Sequence, residues 1–143
     1  MLARMLIAWG LVAATVTIHA AGLVLLLIRV APSKPRQDSR FWPATWLVIE
    51  IAWWLIMLHL LEIAVWAVFY WWQKCLPDME SAFYFAGVTY TTVGYGDLVL
   101  PKAWRLFGPI EGLAGILMCG LSTGFFFAVV NRIYAPRLEA KRK

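Results

Sequence analysis

The chain has 143 residues, of which 62% are hydrophobic, a mean hydropathy of +0.72 and a formal net charge of +5. A water-soluble domain of this size could not hide so much apolar side chain, so the bilayer is its expected solvent. Neither histidine lies beside a nucleophile in the sequence, and Cys75 and Cys119 show no metal-ligand spacing, so an enzyme is not expected.

Three stretches exceed the ~20 apolar residues that a bilayer core requires: about 6–30, 45–72 and 106–133. The first falls within an N-terminal helix over 1–30. Arg4 and His19-Ala20-Ala21-Gly22 give it a superficial likeness to a cleavable signal, but the apolar run continues through Leu23–Ile28, which predicts a retained helix. His19 has no acidic neighbour in sequence and is expected to be a packed or snorkelling residue. Residues 31–44 form a basic linker carrying Lys34, Arg36 and Arg40 after Arg29. Cys75 and Cys119 differ in depth, so no bond between them is expected.

The second span, an outer helix over 45–72, contains acids and a histidine whose burial in a membrane is costly and therefore suggests function. Glu50, near its inner boundary, is expected to meet a linker base such as Arg40. Glu62 and Glu111 both sit roughly 15 Å below the outer boundary at ~1.5 Å per residue. His59, three residues from Glu62, shares its helix face. These spacings predict a polar cluster of His59, Glu62 and Glu111 behind or below the following loop, able to make conduction pH-sensitive.

Between the second and third spans, Pro77-Asp78 opens a helix over 78–91, with Asp78 as its cap and Glu80 in its first turn. Gly87 allows it to pack closely. Its carboxyl end carries the negative pole of the helix dipole and favours a cation. There the sequence runs Thr91-Thr92-Val93-Gly94-Tyr95-Gly96-Asp97. Gly94 and Gly96 permit backbone angles that a side chain forbids. Alternated with Val93 and Tyr95, they let successive carbonyls face one axis while the bulky side chains point away.

Tyr90–Asp97 resembles the signature of the tetrameric potassium channel superfamily, and with its flanking helices the resemblance covers roughly residues 45–132. It implies a small prokaryotic-type, pore-only potassium channel with an additional N-terminal transmembrane helix. The filter would be Thr92, Val93, Gly94, Tyr95 and Gly96, with K+ held by the carbonyls of Thr92, Val93, Gly94 and Tyr95 and by the Thr92 hydroxyl. One filter strand per chain requires four chains. The same resemblance assigns filter support to Tyr84, Phe85, Val88, Thr91 and Asp97. Tyr84 and Phe85 fall at aromatic-cuff positions, and Asp97 would brace the outer mouth on the pore helix. Val88 stands where some relatives carry a buttressing glutamate.

The third span, over 104–133, would be the inner helix. The resemblance aligns Gly115 with a hinge glycine, whereas Gly108, Gly112, Gly120 and Gly124 read as close-packing positions. Ile116, Cys119, Thr123 and Phe127 share one face and are the candidate cavity and gate residues. Four copies of Phe127 could close the pore by dewetting, unless Phe125, Phe126 and Phe127 all face lipid and neighbouring helices.

A basic tail occupies 134–143. The linker and tail hold most of the 13 Lys and Arg, which places them in the cytoplasm, the N-terminus outside and the filter facing outward. Trp71, Trp72 and Trp104 mark the outer interface, and Trp42, Trp46 and Tyr134 the inner one. The expected molecule is thus an all-α membrane protein of the cell membrane: three transmembrane helices, a re-entrant pore helix and an extended filter, assembled as a homotetramer. Anionic lipid would meet the basic segments; no nucleic-acid partner and no cofactor beyond permeant K+ are expected. No span carries arginine at every third position, so no voltage sensor is expected, and the tail is too short for a ligand-binding domain. A non-selective cation channel and a potassium transporter subunit remain the alternatives.

Overall fold

The computed structural model describes residues 2–30 and 41–140, with side chains described over 2–30 and 45–132. It contains four helices and, among the described residues, no strand: α1 (Leu2–Val30), α2 (Phe41–Trp72), α3 (Met79–Tyr90) and α4 (Phe107–Ala140). Leu2–Val30, Thr45–Trp72 and Phe107–Arg132 are long and apolar enough to cross a membrane. At ~1.5 Å per residue each exceeds the ~30 Å hydrocarbon core. The short α3 does not.

Two differences from the expected bounds have local causes. α2 begins at Phe41 rather than residue 45, because Pro43 falls in its first turn, where its missing N–H costs nothing. α4 begins at Phe107 rather than residue 104, because 101–107 wind as turns, with Trp104 N–H donating to the Pro101 carbonyl (2.8 Å) and Phe107 N–H to that of Trp104 (2.9 Å). It also continues to Ala140, past the expected end at 133.

The short α3 lies between α2 and α4. Ala82 and Ala86 are fully buried, and their small side chains let α3 approach its neighbours. Above them Phe69 and Phe107 stack at 5.3 Å with an 8° interplanar angle, and Trp104 packs edge-on against both. At the opposite end Leu26, Val30, Ile51, Leu55 and Val129 join α1, α2 and α4.

α1 is fastened at both ends. The Arg4 guanidinium lies 5.3 Å from the Trp104 ring and donates to the Ala103 carbonyl (3.2 Å), so the start of α1 and the loop before α4 share one end of the bundle. At the other end Arg29 grips Glu50, with Nη2 at 2.5 Å and Nε at 2.6 Å from Oε1. The anticipated partner Arg40 lies outside the described residues, as do the other linker bases and the tail's Lys141, Arg142 and Lys143. The side chains of Trp42, Tyr134 and Arg137 also lie outside them.

Large side chains such as Trp9, Trp53 and Leu113 stand exposed on the outer surface. Such a surface suits lipid or further subunits rather than water.

Candidate functional site

Asp78, itself in an extended conformation after the turns at 73–77, caps α3, its carboxylate accepting from Ser81 N–H at 2.7 Å. At the other end α3 passes directly into the loop. Thr91 N–H and Thr91 Oγ1 both donate to the Gly87 carbonyl (3.1 and 2.7 Å), Thr92 N–H to Thr89 (3.0 Å) and Gly94 N–H to Val88 (3.2 Å). The loop therefore hangs from the carbonyl end of the helix. Every second residue then takes a left-handed φ: Thr92 +61°, Gly94 +58° and Gly96 +77°. Nothing lies within 4 Å of a Cβ built on either glycine, so backbone angle and not crowding selects glycine there. Thr92 adopts the same φ as a β-branched residue, at a cost of about 1–3 kcal/mol.

Asp97 closes the loop. Its Oδ2 accepts from the Tyr84 hydroxyl on α3 (2.7 Å) and its Oδ1 from Leu98 N–H (3.0 Å). The Tyr84 hydrogen bond holds the carboxyl below the usual aspartate range and pushes the Tyr84 hydroxyl up. Between the loop and α3, beside Val88, lies a cavity of about 120 Å³ reached by Tyr84, Thr89, Gly94 and Asp97. The short Val88 side chain leaves that space unfilled.

Beneath the loop all four helices meet at Glu62, which is fully buried. Oε1 pairs with His19 Nδ1 of α1 at 2.8 Å. Oε2 accepts from the hydroxyl of Tyr90, the last residue of α3, and lies 3.5 Å from His59 Nδ1. His59 Nδ1 is also 3.0 Å from the Tyr90 hydroxyl. Ser122 of α4 contacts His19 Nε2 at 3.4 Å. A buried carboxylate is tolerated when its oxygens are matched in this way.

Glu111, the other deeply buried acid, is hydrogen-bonded to Tyr70 rather than to a member of this group. Its Oε2 accepts from Tyr70 at 2.7 Å, and its Oε1 has no hydrogen-bond partner among the described residues. The anticipated cluster is thus divided: His59 joins Glu62, Glu111 goes to Tyr70, and Tyr90 and Ser122 enter unanticipated. His19 is packed, as expected, but not alone. It has an acidic partner, 43 residues away on another helix, where spacing along one helix could not reveal it. A signal was nevertheless present: Thr15, His19 and Gly22 recur at helical spacing within a largely apolar span, the mark of a packing face.

A family model described as "Ion channel" matches residues 56–132, more than half of the chain. The chain belongs to the ion channel family. Among curated proteins it is similar to the A-type voltage-gated potassium channel KCND3 of Rattus norvegicus, Oryctolagus cuniculus and Homo sapiens. Each is 35% identical over 68 residues, covering 46% of this chain and 10% of the relative. The chain therefore spans about a tenth of the length of these relatives. No solved structure gives a match at the same level. The superfamily resemblance carried by Tyr90–Asp97 is borne out. The family match takes in Glu62, α3, the loop and most of α4, and leaves out α1 with His19.

Within this ion channel chain the remaining singled-out residues separate by face. Phe85 packs edge-on against Tyr70 at 5.3 Å, behind the loop. On α4, Ile116, Thr123 and Phe127 are exposed and Cys119 is partly buried, while Phe125 and Phe126 pack into the lower core. The Thr123 hydroxyl bonds back to the Cys119 carbonyl at 2.8 Å. Gly115 is a close-approach position: a Cβ there would collide with the Tyr90 carbonyl. Gly120 and Gly124 have open space instead, so the packing expected of them falls to Gly115 within this chain. Cys75 and Cys119 are both free thiols.

Proposed function

We propose that the chain is the pore subunit of a potassium-selective channel in the cell membrane, four copies surrounding one axis. One observation carries this: Thr92–Gly96, with its alternating left-handed backbone, hangs directly from the carbonyl end of a capped half-length helix. That geometry suits a strand whose carbonyls serve as a cation's ligands, next to the negative pole of a helix dipole. Val93 and Tyr95 are 52% and 71% exposed, as expected of a strand whose remaining neighbours come from other copies. The potassium specificity of the KCND3 relatives points the same way.

In this arrangement α4 lines the path, and Ile116, Cys119, Thr123 and Phe127 face it. Asp97 on Tyr84 steadies the outer mouth, and Glu62 on Tyr90 steadies the base of the filter. The filter end faces outward with the start of α1, and the basic segments at 31–44 and 134–143 face the cytoplasm. No span of this sequence carries a ladder of arginines, which favours gating at the filter, the α4 bundle, the surrounding lipid or a partner protein.

The deciding experiment reconstitutes the purified chain alone in liposomes and measures cation flux and bi-ionic reversal potentials. Potassium flux with a strong preference over sodium is expected. Equal permeabilities would overturn selectivity, and absence of flux would overturn autonomous conduction.

A further inference from the structure

We propose that His19, His59 and Glu62 form a binding site for a late first-row divalent cation of the zinc class, inside the helix bundle and distinct from the potassium path. The two imidazoles and the carboxylate offer one donor atom each, all within 4.8 Å of one another. Zinc bound by nitrogen and carboxylate oxygen at about 2.0–2.2 Å separates its tetrahedral ligand atoms by roughly 3.3–3.6 Å. Of the observed separations, 3.5 Å (His59 Nδ1 to Oε2) falls within that range and 2.8 Å (His19 Nδ1 to Oε1) falls short of it. An ion entering between them needs only small side-chain rotations.

Three further features suit a metal. The Tyr90 hydroxyl, 3.0 Å from His59 Nδ1 and bonded to Glu62, is available as a fourth oxygen donor. Ser122 sits 3.4 Å from the far nitrogen of His19, where its hydroxyl oxygen can accept Nε2–H once an ion takes the Nδ1 lone pair. Such outer contacts set the tautomer in histidine metal sites. His59, 19% exposed, is the member that reaches the bundle surface, whereas His19 and Glu62 are sealed. Imidazole with carboxylate selects zinc, cobalt or nickel over magnesium or calcium, which prefer all-oxygen shells. Binding replaces the protons now shared within the cluster. The ion would tie α1 to α2 and, through Tyr90, to the residue two positions before the filter.

The test uses the full chain without a histidine tag, in detergent, freed of metal by a chelator and titrated with Co2+ and then with competing Zn2+. One saturable tetrahedral Co2+ site per chain is expected, visible in its visible-range absorption and displaced by Zn2+. His19→Asn and His59→Asn should each weaken binding by at least about tenfold, while Glu111→Gln, a buried acid outside the cluster, should not. X-ray absorption on the unmutated chain should show two imidazoles around zinc, which keeps the test independent of whether the variants fold. No saturable binding, a shell without imidazole, or undiminished binding by His19→Asn would each overturn the site. The outcome is separable from the proposed function: a chain that binds Co2+ yet passes no potassium refutes conduction and leaves the metal site standing, and the reverse result refutes the site alone.

Discussion

Asp97 accepts two hydrogen bonds, one from its own strand and one from Tyr84 on the helix behind it. Because the Tyr84 bond lowers the folded pKa, its contribution is fully present above the ordinary aspartate value and is lost as pH falls through the lowered one. Potassium flux should therefore be insensitive to pH near neutrality, with the Asp97 brace intact, and decline only in strong acid. In Tyr84→Phe the acid decline should move up toward pH ~4, the unperturbed carboxylate range; coincident flux-pH profiles for variant and parent would refute the brace. Gly115 makes a second residue-scale prediction. Gly115→Ala pushes a methyl into the Tyr90 carbonyl and should cost about 1–3 kcal/mol in detergent unfolding, whereas Gly120→Ala, with open space around it, should stay within about 0.5 kcal/mol. At this scale the sequence was readable wherever a residue's role is set by its immediate neighbours: Asp78 as a cap, Gly94 and Gly96 as left-handed positions. It was unreadable where the partner sits on another helix. His19 looked isolated and Glu111 looked like a neighbour of Glu62, because depth in the membrane orders residues along one axis and says nothing about rotation around a helix.

The elements were easier to read, since hydropathy and capping are local properties that survive whatever the tertiary arrangement turns out to be. The three spans and the short helix between them all appear, with differences at the ends where Pro43 and the 101–107 turns act. What could not be read was the purpose of α1, which has no counterpart in a two-span pore. The structure supplies contacts for it: Gly22 lies against Leu58 so closely that a Cβ would sit 2.6 Å from its methyl, and the buried Thr15 hydroxyl accepts the Trp66 indole N–H at 3.1 Å. Thr15→Val keeps the volume and removes that acceptor. It should lower stability by about 1–3 kcal/mol, the cost of an unmatched buried donor, measured as a shift in thermal unfolding against Thr17→Val. Thr17 is exposed and bonds only within its own helix. Equal effects from the two would show that α1 does not lock onto α2 through Thr15.

At the scale of the whole molecule, one chain leaves too much unpartnered. The exposed row at Ile116, Thr123 and Phe127 and the open strand at 92–96 each need a further surface, and the fourfold assembly proposed above would supply one for both. Native mass measurement of the purified protein should return four chains; a monodisperse monomer that nevertheless conducts would refute this. If Phe127 closes the lower path, Phe127→Ser should raise basal potassium flux several-fold by wetting the constriction, with Phe126→Ser, in the packed lower core, as the control that should not.

The polar centre also has a history in time. Its members leave the ribosome in the order His19, His59 and Glu62, Tyr90, Ser122, and the contact between His19 and Ser122 joins positions 103 residues apart. During synthesis the first span carries an imidazole into the bilayer before its carboxylate partner has been translated. Until α4 follows, that cluster lacks its last member. A chain cut short before Ser122 is therefore left with an incompletely matched polar core, so the last span completes a site that the first one opened.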